Sequence, residues 1–391
     1  MTKDWKDFLR DEKVGKRKPV ATLPGGEIVE RQGRSLIITF PDDKRMVLSS
    51  ANFNGGLFKG PDSIFNTTSI TGEAGDALMA AGPGERLAYS EECAKKVGLD
   101  PKKAVGLGTG VTMDKAAIVT KTAGRTTVSA VVTAGVEGNG GRAGDPASYD
   151  QLKGYKAKDG TIVIILLIEA DLPVHSLARA IVTATEAKTC ALQQLMASSV
   201  YSTGIATGSG TDQIAVVCNT GSGIKLSDAG KHSLLGELIG KCVTEAVLKA
   251  LDNWASMNPV SQRDAMRRLA RYKVKESDYP MPAKNAKEKE PFAEIQKAVS
   301  RDGKVVAAIA SVIHIQDEIG WGLLTEEDGK YIAERILLDV LYERGVKEPF
   351  IEKNGSIISN AVWALSQIAI KKYGSKDAAV PGIDRTSDKP S

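Results

Sequence analysis

Apolar residues follow two rhythms along this chain, and the change of rhythm divides it. Up to about residue 219, short β-branched or alternating runs predominate, each ended by glycine, proline or asparagine. Glu27–Glu30, Ser35–Phe40 and Arg45–Ser50 are separated by Gln32-Gly33 and Pro41-Asp42-Asp43, which predicts a small antiparallel meander. Residues 105–109, 116–119, 127–133, 161–168 and 214–218 also read as strands. Ile162–Ile168 is apolar throughout, which predicts a central strand buried on both faces. Helical periodicity marks residues 72–99, interrupted at Gly82-Pro83-Gly84, and residues 176–198 and 233–251. Leu177, Ile181, Ala184, Ala191 and Leu195 form the inner stripe of the second helix. Leu235, Leu238, Ile239, Cys242, Ala246 and Val247 form that of the third.

After Trp254 the spacing is predominantly helical, with apolar stripes over 292–299, 305–315, 326–341 and 356–370. The pattern predicts an α/β fold (α+β being the alternative), a mixed-sheet domain with packed helices followed by a helical region. The divisions expected are a polar arm over 1–20, the sheet domain over 21–255, the helical region over 256–373 and a disordered tail over 374–391. The basic run Arg263–Lys275 reads as a solvated helix face.

Composition narrows the function classes. Of 391 residues 42% are hydrophobic and 26% charged, ordinary for a globular protein, and the net charge of +4 is small for the length. With 5% aromatics the chain lacks stacking platforms, so no nucleic-acid partner is expected. No apolar run is long enough to span a bilayer and the N-terminus is charged, so a cytoplasmic protein is expected, with a homo-oligomer possible. Cys93, Cys190, Cys218 and Cys242 are widely spaced among apolar neighbours and read as reduced, buried thiols; no CxxC pair suggests a zinc ribbon.

The richest polar stretch is Thr126–Pro146, TTVSAVVTAGVEGNGGRAGDP. A strand carrying Val128, Val131 and Val132 runs into a loop with five glycines, among which sit Thr133, Glu137, Asn139, Arg142 and Asp145. A strand that delivers a glycine-rich polar loop is a common way to build a ligand site. It is equally a way to build a surface loop.

Taken in order, SSANFNGG (49–56), VVTAGVEGNGGRAGD (131–145), TEAKTCAL (185–192), ATGSGTD (206–212) and HSLLGELIG (232–240) resemble the adenosylcobinamide amidohydrolase family, CbiZ, over roughly residues 30–253. The resemblance implies hydrolysis of the aminopropanol amide of adenosylcobinamide to adenosylcobyric acid, in corrinoid salvage. The corrinoid is then substrate, and no cofactor and no metal are expected. One departure is Gly140-Gly141 after Asn139, where the family pattern implies Asn-Ala, a change that loosens the loop.

Amide hydrolysis needs a nucleophile, a stabiliser for the oxyanion and an acid for the leaving amine. There is no GxSxG elbow and no HExxH, and His175, His232 and His314 are too few for a histidine-rich metal site. The candidate catalytic residues are Asp212 and His232 as bases and Glu186 as a group that polarises water. Two have ordinary readings too, Asp212 as a loop hydrogen-bonder and His232 as a capping or packing residue, whereas Glu186, mid-helix amid Ala and Thr, is less easily dismissed as surface. The candidate substrate-binding residues are Asn54, Gly55, Thr133, Glu137, Asn139, Asp145, Lys188, Thr211 and Glu237. Glu237 also belongs to an outer Glu/Lys stripe with Lys241, Glu245 and Lys249. The backbone amides of 135–144 and 208–211 are candidates for an oxyanion hole. Two other readings stay open: a corrinoid-binding protein without chemistry, and an amide hydrolase or acyltransferase with Thr133 or Thr211 as nucleophile.

Overall fold

The computed structural model describes residues 4–70, 72–80, 83–150, 152, 160–280 and 286–374; the tail expected over 374–391 lies, beyond Gly374, outside the described residues. The chain forms two compact units, Met1–Asn258 and Pro259–Ser391.

The first unit opens with helix α1 (Trp5–Asp11) and strands β1 (Lys18–Thr22), β2 (Ile28–Gln32), β3 (Ser35–Thr39), β4 (Arg45–Ser49), β5 (Gly56–Lys59) and β6 (Ser63–Thr68). Helices α2 (Glu73–Ala80) and α3 (Pro83–Lys96) precede β7 (Ala104–Thr109), β8 (Ala117–Ala123), β9 (Thr126–Ala134) and the two-residue β10 (Gly140–Gly141). Then come β11 (Ile162–Ile168), α4 (Val174–Gln194), β12 (Gly208–Ser209), β13 (Gln213–Asn219) and α5 (Leu234–Ala255). One mixed sheet has the order β1-β2-β3-β6-β7, a second β5-β4-β13-β11-β9-β8, and β10 pairs only with β12.

Alternation along the strands builds four layers. On β11, Ile162, Ile164, Leu166 and Ile168 face a core completed by α4 and α5, whereas Val163, Ile165 and Leu167 face the other sheet. On that sheet Leu36, Ile38, Ile64 and Val105 meet them, while Ile37, Phe65 and Ala104 turn away to pack under Trp5, Leu78 and Tyr89 of α1–α3. The two sheets are thus stacked face to face with helices outside each, which is why a central strand can be apolar at every position.

Two expectations are corrected. The 27–50 meander is β1, β2 and β3, because β4 crosses into the second sheet, between β13 and β5. Within the expected N-terminal arm, residues 4–20 hold helix α1, with Trp5 and Leu9 buried, and β1 begins at Lys18. Of the four thiols Cys190 is exposed. Burial pushes the Cys93 thiol up to about 11 and the Cys242 thiol up to about 12, so both are unreactive.

The second unit is helical: α6 (Ala265–Ala270), α7 (Ala286–Ser300), α8 (Gly303–Gly320), α9 (Glu326–Glu343) and α10 (Ile357–Gly374). Phe292, Val312, Leu337 and Leu365 meet in its core. Asp264, Asp302 and Thr325 cap α6, α8 and α9 with side-chain oxygens that accept backbone N–H groups. The buried Arg271 guanidinium pairs with Asp317 at 2.6 Å, and the Tyr272 hydroxyl donates to the same carboxylate at 2.6 Å.

At the C-terminal end of β11 the first unit buries a charged cluster. Arg45 donates to Glu27 Oε1 from Nε and Nη2, at 3.0 and 2.8 Å, and Asn219 donates to Glu169 at 3.0 Å. Burial, and then the nearby Glu27 charge, hold the Glu169 carboxyl above its ordinary value, against the pull of Asn219 and Arg45. A raised carboxyl contributes stability that is present at low pH and lost as pH rises through its folded value. Glu169→Gln should therefore gain in thermal midpoint relative to wild type as pH rises from 5 to 8. A difference that does not change with pH would contradict this reading.

Candidate active site

The sheet register brings the glycine-rich loops together. β11 and β13 are parallel, with Val163 beside Gln213, so they begin side by side. β9 is antiparallel to β11, with Ala134 opposite Ile162, so it ends where they begin. The loops after Ala134, before Ile162 and before Gln213 therefore share one edge of the sheet. The β10–β12 ladder, Gly140 opposite Ser209 and Gly141 opposite Gly208, ties the two longest together.

Asn139 fastens this assembly. It is buried; its Nδ2 donates to the Gly160 carbonyl at 2.9 Å and to Thr211 Oγ1 at 3.2 Å, and its Oδ1 accepts from the Tyr201 hydroxyl at 2.7 Å. Its own carbonyl accepts from Gly210 N at 3.2 Å. At Gly140, the departure from the family pattern, the backbone passes close to its neighbours. A Cβ there would lie 2.8 Å from the Val136 carbonyl oxygen, which accepts from Gly140 N. Asp145 closes the next turn, accepting from Arg142 N at 2.7 Å and Ser199 Oγ at 2.5 Å. Burial pushes its carboxyl up, but the hydrogen bonds from Ser199, Ser202 and the Arg142 amide outweigh it and hold the group below its ordinary value.

At the centre Lys188, on α4, forms an ion pair with Asp212 Oδ2, and the two side chains are only 7% and 15% exposed. Asp212 Oδ1 accepts from Ser209 Oγ at 2.6 Å, Ser209 N at 3.0 Å and Ile162 N at 3.2 Å. Gly208 leaves room for this contact, since a Cβ there would collide with both the Asp212 carboxylate and the Lys188 ammonium. Burying two charges is tolerable only with such complete pairing.

Two cavities flank the cluster. One, of about 280 Å³, is lined by Arg142, Asp145, Lys188, Tyr201, Ser209 and Asp212 among others. The other, of about 330 Å³, has Thr161, Gly210, Thr211, Asp212, Arg86 and Ser90 on its walls. Gly210 and Asp212 separate the two. A third and larger space, a groove of about 970 Å³, runs along α4 and α5 past Glu186, Lys231, Glu237 and Lys241.

The structure thus brings Asp212, Lys188, Asn139, Asp145 and Thr211 together and leaves the other candidates apart. Residues 186 and 188 stand about 200° apart around a helix, so Glu186 faces the outer groove and pairs with Lys231 at 2.5 Å. His232 is exposed, and the cap of α5 is its neighbour Ser233, which accepts from Gly236 N. Glu237 pairs with Lys241 at 2.5 Å on the same outer face. Thr133 is buried and accepts from Asn66 Nδ2 at 2.9 Å, so it has no access to a ligand. Glu137 is exposed and accepts from Val136 N. Asn54, at positive φ, donates to the Pro101 and Ala104 carbonyls at 2.8 Å, and Gly55 packs onto the Ala51 carbonyl; both build a turn.

Several of the loop amides are already paired. Gly135 N, Gly140 N and Gly210 N donate to backbone carbonyls, and Arg142 N, Ala143 N, Ser209 N and Thr211 N to side chains. In this arrangement Lys188 is a buried positive group on the cavity wall, available to a developing oxyanion, with the exposed Arg142 on the same wall. The residue the pattern did not single out is Ser209. Its signal is the Ser-x-x-Asp spacing to Asp212, which allows a side chain and an amide to reach the same carboxylate. Among the described residues no group of three His, Cys, Asp or Glu could hold a metal ion, and no helix is long and apolar enough to cross a membrane.

The profile of the adenosylcobinamide amidohydrolase family, CbiZ, matches residues 21–259. An uncharacterized protein of Methanocaldococcus jannaschii is 39% identical over 176 residues, which are 42% of this chain and 68% of that protein. A protein of Pyrococcus horikoshii OT3, known from a crystal structure, aligns at 16% identity with a TM-score of 0.29, over 68% of this chain and 99% of its own.

Because Asn139 makes three side-chain hydrogen bonds in a buried setting, Asn139→Ala should cost about 2–4 kcal/mol of unfolding free energy in chemical denaturation. Glu137→Gln, on the exposed side of the same loop, should stay within about 0.5 kcal/mol of wild type.

Proposed function

The chain belongs to the adenosylcobinamide amidohydrolase family, and from that membership we propose that it hydrolyses the aminopropanol amide of adenosylcobinamide to adenosylcobyric acid and aminopropanol. The observation that carries the reading is the buried Lys188–Asp212 pair on the wall of a polar cavity, within the matched residues. A corrin ring is too large for a cavity of about 280 Å³. A side arm bearing the amide is not, so the ring stays outside while the arm enters.

The chemistry follows from the groups present. A buried ammonium beside the scissile carbonyl stabilises negative charge as it develops on oxygen, in a setting where water screens little. It can also hand a proton to the departing amine. Asp212 holds Lys188 in place before the substrate arrives, and it is a carboxylate on the cavity wall that can take a proton from the attacking group. Asn139 and Asp145 hold the loop walls and leave the reacting atoms to the pair.

Incubation of the full chain with adenosylcobinamide should release aminopropanol and leave a corrinoid with one new carboxylate, both measurable by liquid chromatography with mass detection. Binding without release would sink the hydrolase reading and leave a corrinoid-binding protein. Lys188→Met should lower kcat/KM by about 100-fold or more, the size associated with losing one acid–base or oxyanion group. Its circular dichroism must match wild type for the loss to count as chemical.

A further inference from the structure

Beyond the ion pair, the cluster holds a hydroxyl in an arrangement suited to attack. Ser209 Oγ donates to Asp212 Oδ1 at 2.6 Å, at the short end for an O–H···O⁻ hydrogen bond. The same oxygen accepts from Thr211 N at 3.2 Å and has only long, 3.5 Å contacts with the Thr161 and Thr211 hydroxyls. It lies on the wall of the 280 Å³ cavity beside Lys188. Thr211 offers a contrast. Its hydroxyl donates to the Gly160 carbonyl at 3.0 Å, an acceptor that cannot remove a proton. Of the two hydroxyls in the Gly208–Asp212 turn, the one on Ser209 alone has a base as its acceptor. The turn is also rigid: the β10–β12 ladder, the Ser209 amide and Gly208 packed under the ion pair all fix where Oγ points.

We propose that Ser209 is the nucleophile, and that the reaction passes through an ester of Ser209 with the corrinoid carboxyl group. This rests on the hydrolase reading above for its substrate. In the first half, Ser209 Oγ attacks the amide carbon as its proton passes to Asp212 Oδ1. The C–O bond forms, the C–N bond breaks, and Lys188 gives a proton to the leaving amine. The pair goes from carboxylate and ammonium to carboxylic acid and neutral amine, so the net charge of the site does not change. In the second half, a water molecule gives a proton to the neutral Lys188 and attacks the ester. Asp212 returns its proton to Ser209 Oγ, and the carboxylic acid leaves. Every proton that moves is restored, and no oxidant, reductant or further reactant is consumed.

The test combines turnover with a probe that does not depend on corrinoid recognition. The full chain is treated with an alkyl fluorophosphonate, and the modified peptide is identified by mass spectrometry; in parallel, amine release from adenosylcobinamide is followed. The expected result is phosphonylation of the peptide containing Ser209, no such adduct in Ser209→Ala, and a fall in kcat of about 1000-fold or more in that variant. Ser209→Cys, which keeps a nucleophile in place, should retain measurable turnover and lose it to iodoacetamide, whereas wild type survives the same treatment. Turnover in Ser209→Ala above about a tenth of wild type would overturn the assignment. So would wild-type turnover without any modification of Ser209. Labelling of Ser209 without hydrolysis of adenosylcobinamide would leave the nucleophile standing and remove the corrinoid substrate.

Discussion

The site depends on one constraint: two opposite charges, Lys188 and Asp212, are held out of water at the edge of a sheet. Each would be prohibitive there alone, so the surroundings are arranged to satisfy both. Asp212 Oδ2 takes the ammonium, and Oδ1 takes three donors from two segments of chain. The absence of a side chain at Gly208 and the placement of Asn139 between Gly160 and Thr211 follow from the same need. The pair in turn sits where it does because β11 and β13 are parallel neighbours, which sets the starts of both strands, and α4, side by side. Fold and site thus meet in the register of three strands.

That arrangement also explains why the glycine-rich loops are not an open cradle of amides. They look from composition like a surface waiting for a ligand, yet several of their N–H groups are consumed in fixing the loops. The result is a rigid frame in which a few side chains are left to act. Rigidity is what such chemistry needs, because a displacement of about 1 Å in a reacting group can cost two orders of magnitude in rate.

Much of this was legible in the order of residues. The layers follow from alternation, and Ile162–Ile168 announced its central place because a strand covered on both faces has no polar position to show. The pair itself was half legible: Lys188 and Asp212 both fall in stretches that carry the family resemblance, but nothing in the spacing says that residues 24 apart meet. Glu186 misled for a geometric reason, since two steps along a helix reverse the direction a side chain takes. Thr133 misled because a β-branched polar residue in a strand reads the same whether it faces a ligand or, as here, Asn66 of the opposing sheet. Ser209 was hidden among glycines, where a small hydroxyl reads as part of a turn. The crossing of β4 from one sheet to the other was not legible at all, because local pattern sets a strand and tertiary packing sets its neighbours.

The account stands or falls on where the scissile amide lies. The most direct measurement is a crystal structure of the full chain, carrying Ser209→Ala to prevent turnover, with adenosylcobinamide bound. The account predicts the amide carbonyl within about 3.5 Å of the Lys188 ammonium and of the position of the missing hydroxyl, with the corrin ring outside the cavity. A corrinoid whose aminopropanol arm lies in the groove along α4 and α5, beside Glu186 and Lys231, would contradict it.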